Sequence, residues 1–308
     1  MKIVVLCGGT SPEREVSLSS GAAVAAALRE AGFDALLEDV TSVAAFAEQW
    51  PALGADAAFV ALHGGWGEDG RLQAALECAG IPYTGSGPTA CRLAMDKEAT
   101  REILERNGIP VPPGFAVAFD QACDMERTIE RWGRIVVKPA SGGSTVGVTI
   151  TDDPGEARRG LFRVWDIDTK AVVERFVPGA ELTVTVFERD GATFALPAIE
   201  IRPHSGFYDY ASKYTKGATE YLCPAPLDAR AAERLADLAC RAHAALGCRV
   251  YSRIDFRLTE TGEPFCLEAN TAPGMTATSL VPKAALAYGW DFPTLLGEIL
   301  RASTANRS

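Results

Sequence analysis

The chain has 308 residues, 47% of them hydrophobic and 23% charged, and a formal net charge of −10. Such a length exceeds the usual single hydrophobic core and predicts two or three domains, while the acidic balance argues against general binding to nucleic acid or anionic membranes. The longest apolar runs are too short to span a bilayer, and Met1 to Cys7 continues into a glycine turn instead of a cleavage site, so a cytoplasmic protein is expected. Eight cysteines lack CxxC spacing, and Cys7, Cys240 and Cys266 lie inside apolar runs. That pattern predicts buried reduced thiols rather than disulfides or a zinc site.

Strand and helix signals alternate over the first ninety-odd residues. Ile3 to Cys7 reads as a buried strand, Gly8-Gly9 as a turn, Ser17 to Ala31 as a helix, and Ala35 to Val40 and Ala57 to Leu62 as further strands. This is the pattern of a parallel sheet covered by helices, whose ligands bind beyond the carboxyl ends of the strands. Both Gly8-Gly9-Thr10-Ser11 and His63-Gly64-Gly65 fall at such ends. Glu13 lies in the loop before the first long helix, where Ser-Pro-Glu-Arg-Glu is equally a good helix start. His63 ends a strand and faces three nearby glycines, whereas His204 and His243 read as structural.

A new helix begins at Asp96, with Lys97 near its start and Gly108-Ile-Pro at its end. A strand from Ile135 to Lys138, a glycine hairpin from Ser141 to Gly147 and a strand from Ala171 to Val177 then predict a small α+β domain. In that hairpin, backbone N–H groups can close around phosphate oxygens, Ser144 and Thr145 add donors, and Lys138 adds positive charge. It is neither a GxxxxGK[ST] loop nor a GxGxxG fingerprint. Taken alone it is as good an ordinary turn. Glu174 and Phe176 share a strand face just before Pro178-Gly179 and Glu181. Such a segment can offer a purine a flat apolar surface and a ribose a carboxylate, although an interdomain hinge would look the same.

Strands dominate the remainder: Leu182 to Glu188, Thr193 to Ile201, Tyr251 to Leu258 and Phe265 onward, with a helix from Asp228 to Leu246. A polar, tyrosine-containing loop lies between Pro203 and Thr219. The last two strands, joined by a turn-prone stretch from Thr259 to Pro264, carry the strongest signal in the chain. With a period of two, Arg253 and Asp255 share one face, and Cys266, Glu268 and Asn270 share another. If those faces coincide, a cation, two carboxylates and an amide oxygen converge. Oxygen ligands of this kind suit a hard cation such as Mg2+, completed by water and substrate phosphates, and point to a nucleotide-using enzyme. The alternative is a surface hairpin with solvated charges.

The segments GGTSPEREVSLSSG, ALHGGWGEDG, PYTGSG, AMDK, VVKPASGGSTVG, PGAELTV, FYDYASKYTKG, RIDF and LEANTAPGMTATSLVP follow one another across essentially the whole chain. In content, order and spacing the chain resembles the D-alanine:D-alanine ligases of the ATP-grasp superfamily. The resemblance implies an α/β fold, α+β in its C-terminal part, with three domains: an N-terminal parallel-sheet domain over 1–95, a small central domain over 96–178, and a C-terminal domain over 179–308 carrying a lid loop at 203–219. ATP would lie between the last two.

By the same resemblance, Lys97, Lys138 and Lys213 contact the phosphates, Glu174 meets the adenine edge, Phe176 and Val177 line the purine pocket, and Glu181 holds the ribose. Asp255, Glu268 and Asn270 hold two Mg2+ ions, with Mn2+ as a substitute. Glu13 receives the ammonium of the first D-alanine and bonds Ser144, which meets the loop tyrosine, Tyr214. His63 belongs to the substrate pocket, and Ser279 with the N–H of Leu280 binds the carboxylate of the second D-alanine. Arg253 and the N–H of Gly274 form the oxyanion hole.

The implied reaction forms an acyl phosphate from one D-alanine and ATP, then attacks it with the amine of a second, giving D-alanyl-D-alanine for peptidoglycan precursors. A homodimer is implied too. Lys213-Tyr214 favours amide over ester products, while Gly142 and Thr278 stand where many relatives carry a charged residue and a histidine. Competing readings are a D-lactate or D-serine ligase of the same fold and a noncatalytic ATP-binding protein. A Rossmann oxidoreductase is set aside because Ile3 to Gly21 holds no GxGxxG turn.

Overall fold

The computed structural model describes residues 1–143, 145–208, 212, 215 and 217–305. Ser144, Lys213 and Tyr214, named above for the site, lie outside the described residues.

The first sheet is built from β1 (Lys2–Cys7), β2 (Asp34–Asp39) and β3 (Ala57–Val60), in the order β2-β1-β3 and parallel throughout. Val4 to Cys7 and all of β3 are buried, as expected of strands covered on both faces. Helix α1 (Arg14–Glu30) packs on β1 and β2 through Val24, Ala25 and Leu28, and α2 (Val43–Leu53) and α3 (Arg71–Cys78) follow. Helix α4 (Pro88–Met95) leads into α5 (Lys97–Arg106), which is capped by Asp96 accepting from the Glu98 and Ala99 N–H groups.

The second sheet joins β4 (Gly114–Ala118), β5 (Ile135–Pro139), β6 (Thr149–Thr151) and β7 (Lys170–Arg175) in the order β4-β7-β5-β6, all antiparallel. Helices α6 (Met125–Trp132) and α7 (Pro154–Trp165) pack over it around Met125, Val137, Leu161 and Val173. The glycine stretch is the hairpin connection between β5 and β6. Strand β7 ends at Arg175, however, so Phe176 and Val177 lie past the strand, not within it.

The third sheet has the order β11-β10-β8-β12-β13, with β9 on the free part of β8. Its strands are β8 (Ala180–Arg189), β9 (Ala192–Ala195), β10 (Ile199–Pro203), β11 (Thr219–Leu222), β12 (Tyr251–Leu258) and β13 (Pro264–Asn270). The single strand expected from Thr193 to Ile201 is two. Pro197, which has no N–H for a ladder, separates β9 from β10, and both pair with the same edge of β8. Helix α8 (Ala229–Ala245), with Asp228 as its N-cap, covers one face; α9 (Leu280–Tyr288) and α10 (Phe292–Ala305) lie toward the first sheet. All eight cysteines are unpaired, with Cys7 and Cys266 buried and Cys240 only half-buried. No helix of the described residues is long and apolar enough to cross a membrane.

Candidate active site

Strands β12 and β13 set the centre of the site. Their register places Arg253 opposite Asn270 and Asp255 opposite Glu268, so these four side chains share one face. The ladder then slips: Phe256 pairs with Cys266, leaving Leu267 as the extra residue of a bulge. Cys266 therefore does not share the face of Glu268, contrary to a strict period of two. It packs in the core with Ile254 and Phe256, while Leu267 turns into the cleft beside Glu268.

One cavity runs between the second and third sheets and is bordered by Lys97, Lys138, Glu174, Phe176, Val177 and Glu181, with Asp255 and Glu268 at its inner end. Lys138 Nζ lies 2.6 Å from Glu174 Oε1, both buried, so each charge compensates the other and loss of either would strand its partner. Lys97 Nζ donates to the Gly142 carbonyl at 2.5 Å and its backbone N–H to Ala140 at 2.8 Å, which ties the start of α5 to the glycine hairpin. Burial holds the Lys97 ammonium below the ordinary lysine range, against the pull of Glu268. Two guanidinium groups lie over the Phe176 ring, Arg257 at 5.4 Å and Arg134 at 5.8 Å from its centre. Arg257 follows Arg253 and Asp255 on the same strand face, and that alternation was the signal by which it could have been found.

A second cavity is bordered by Glu13, His63, Arg253, Asn270, Gly274 and Ser279, among others, and continues into the first at Gly143, Tyr208 and Glu268, which border both. Glu13 is the residue before α1, yet its side chain makes no capping bond. Its carboxylate instead packs against the backbone of Gly64: a Cβ there would come 2.7 Å from Glu13 Oε2, and the φ of Gly64 is +69°. His63 is buried, with Nε2 2.9 Å from Ser20 Oγ and Nδ1 3.3 Å from the Ala272 carbonyl. Since a carbonyl only accepts, Nδ1 is the donor to Ala272, and Glu68 Oε1 lies 3.6 Å from the same nitrogen. The ring is thereby fixed at the cavity edge.

Arg253 makes a bidentate pair with Asp255, at 2.9 and 2.7 Å, and Thr183 Oγ1 donates to the same carboxylate at 2.6 Å. Burial opposes the Arg253 charge, but Asp255 outweighs it and raises the pKa. Ser279 is the N-cap of α9; its hydroxyl makes no cap bond and meets Thr276 Oγ1 at 2.8 Å. The N–H of Leu280, the first residue of that helix, has no intrahelical acceptor, and Leu280 borders the cavity, a ready place for a carboxylate. Gly274 faces Ser279 closely, since a Cβ on it would lie 3.2 Å from Ser279 Oγ.

For a metal, Asp255, Glu268 and Asn270 offer oxygen donors only, two of them ionisable and opposed across one ladder, and this set fits a hard divalent cation. Sequence reasoning did not single out Tyr208, Tyr221, Thr276 or Glu68, which also border the second cavity. Tyr208, Glu68 and Thr276 lie inside the quoted FYDYASKYTKG, ALHGGWGEDG and LEANTAPGMTATSLVP segments; Tyr221 carried no local signal, because its place depends on how distant elements meet.

A cleft between two antiparallel sheets, with Lys97 and Lys138 on one side and Asp255 and Glu268 on the other, is the arrangement of an ATP-grasp enzyme. Residues 103–301 match the D-ala D-ala ligase C-terminus family and residues 41–86 the D-ala D-ala ligase N-terminus family. The D-alanine–D-alanine ligase of Syntrophotalea carbinolica is 47% identical, over 99% of this chain and 97% of its own length. That of Bordetella petrii is 45% identical over 97% and 91%. Among solved structures, the D-alanine–D-alanine ligase of Bacillus anthracis superposes with a TM-score of 0.87 at 34% identity, covering 100% of this chain and 98% of that one. The chain belongs to the D-alanine–D-alanine ligase family.

Proposed function

We infer that the protein joins two D-alanine molecules into D-alanyl-D-alanine with conversion of ATP to ADP and phosphate, supplying a peptidoglycan precursor. The observation that carries this reading is the junction of the two cavities at Glu268, Gly143 and Tyr208, which lets a phosphate-bearing ligand in one meet a carboxylate-bearing ligand in the other. In the nucleotide cavity, Glu174, Phe176 and Val177 would hold adenine, Glu181 the ribose, and Lys97 and Lys138 the phosphates, joined by Lys213. Asp255, Glu268 and Asn270 would hold two Mg2+ ions, which when bound neutralise charge on the transferring group.

In the amino-acid cavity, Glu13 would take the ammonium of the first D-alanine, with Ser144 and Tyr214 continuing from it, and His63 would border the pocket. The carboxylate of that D-alanine attacks the γ-phosphorus as the bond to ADP breaks. The second D-alanine, held through its carboxylate by Ser279 and the Leu280 N–H, attacks the acyl carbon with its amine, and phosphate leaves. Arg253 and the Gly274 N–H would stabilise the oxyanion between those events. The reading also assigns the protein to the cytoplasm, as a homodimer whose chain divides at 1–95, 96–178 and 179–308.

The test is phosphate release by the purified protein with Mg-ATP and D-alanine, product identified by mass, with D-serine and D-lactate in parallel as second substrates. Phosphate matched by D-alanyl-D-alanine is the expected result. Preferential use of D-serine or D-lactate would reassign the second substrate, and ATP binding without any product would overturn the ligase reading.

A further inference from the structure

A chain of contacts links the wall shared by the two cavities to the start of α9. Tyr208 borders both cavities, and its hydroxyl lies 3.0 Å from that of Tyr221 on β11. The rings meet edge-on at 6.3 Å. Lys283, in the first turns of α9, places its ammonium 5.3 Å from the centre of the Tyr221 ring and donates to the Thr278 carbonyl. Thr278 immediately precedes Ser279 and Leu280, and all three border the second cavity. At the other end, Thr145 Oγ1 of the glycine hairpin donates to the Tyr208 carbonyl at 3.1 Å. Hairpin, shared wall, β11 and the helix start are thus connected by consecutive polar contacts.

We propose that Tyr208, Tyr221 and Lys283 are positioning residues that brace the acceptor pocket against the wall between the cavities, and so direct the acyl phosphate to the amine of the second amino acid rather than to water. The inference rests on the ligase reading above. Neither tyrosine is needed to transfer a proton. Their part is to keep the Thr278–Leu280 turn at a fixed distance from the site where the acyl phosphate forms. With the brace loosened, the first step still forms acyl phosphate and ADP, but water can attack the acyl phosphate and release D-alanine and phosphate.

The experiment compares wild-type protein with Tyr221→Phe, Tyr208→Phe, the double variant and Lys283→Met, measuring ADP and dipeptide separately while D-alanine and ATP are varied in turn. Removing the hydroxyl pair should raise the half-saturating concentration of the acceptor D-alanine by about fivefold, the scale of one hydrogen bond. ADP should then exceed dipeptide, and the KM for ATP should be unchanged. The double variant should behave as either single one, because both remove the same bond. Lys283→Met should raise the ADP excess in the same direction. A one-to-one ratio with unchanged acceptor KM in all variants would overturn the brace, as would equal losses for ATP and D-alanine, which mark a general structural defect. Should wild-type protein form no dipeptide, the ligase reading fails and the inference with it, whereas normal wild-type product with unaltered variants removes the brace alone.

Discussion

Gly64 shows how tightly single residues set the amino-acid cavity. Its positive φ of +69° is strained for any residue with a Cβ, and the missing Cβ leaves room for Glu13 Oε2. Gly64→Ala should therefore displace the carboxylate proposed to receive an ammonium, raising the KM for D-alanine by about tenfold or more, since a charge-assisted hydrogen bond carries roughly 1.5–3 kcal/mol. ATP binding, measured with a non-hydrolysable analogue, should be little changed; an unaltered KM for D-alanine would contradict the assignment of Glu13. At this scale the sequence was readable where chemistry is local. Arg253, Asp255, Glu268 and Asn270 could be assembled from spacing alone, and the structure does bring them onto one face. Tyr221 and Lys283 could not, because their meeting depends on β11 and α9 approaching one another. Trp66 packs by the core of the first sheet and donates Nε1–H to Thr10 Oγ1 at 2.9 Å.

Strand β13 is where periodicity misleads. A bulge is invisible to a period-two reading, so Cys266 was expected on the face of Glu268, and Leu267 on the opposite one. The exchange has a measurable consequence. Leu267→Ala should weaken ATP binding by several fold through lost apolar contact, on the order of 1 kcal/mol, with little loss of stability because the residue is only half-buried. Cys266→Ser should do the reverse, destabilising the fold by about 1–3 kcal/mol by burying a hydroxyl while sparing ATP binding. Paired thermal melts and binding isotherms decide it; reversed phenotypes would mean that the bulge lies elsewhere. Pro197 was the readable counterpart, since a residue without N–H inside a candidate strand signals an interruption. The short helices α3, α4 and α6 offered too few turns for apolar periodicity to mark them.

Across the whole molecule, the core does not follow sequence order. Ile3, Val5 and Phe59 of the first sheet and Val24 and Leu28 of α1 share one cluster with Leu295, Leu296, Ile299 and Leu300 of α10. Burying four such side chains contributes about 6–12 kcal/mol before entropy, which is comparable with the net stability of a typical domain at about 5–15 kcal/mol. A fragment of residues 1–95 should accordingly lack a cooperative thermal transition, whereas the full chain shows one; an independently stable fragment would contradict that dependence. The first sheet was legible from its alternating strand and helix signals, but closure by the C-terminal helix was not, since nothing in a local pattern specifies a partner some 270 residues away.

The same long-range closure brings Glu13 and His63 of the N-terminal part to Arg253 and Gly274 of the C-terminal part around one cavity, next to the nucleotide cleft. The central claim is that a carboxylate in the one cavity attacks a phosphate in the other, and the transfer of oxygen between them tests it most directly. With D-alanine labelled in its carboxylate oxygens, the account predicts one labelled oxygen in the inorganic phosphate for every dipeptide formed. Phosphate released without label, despite dipeptide formation, would exclude an acyl phosphate and contradict the account.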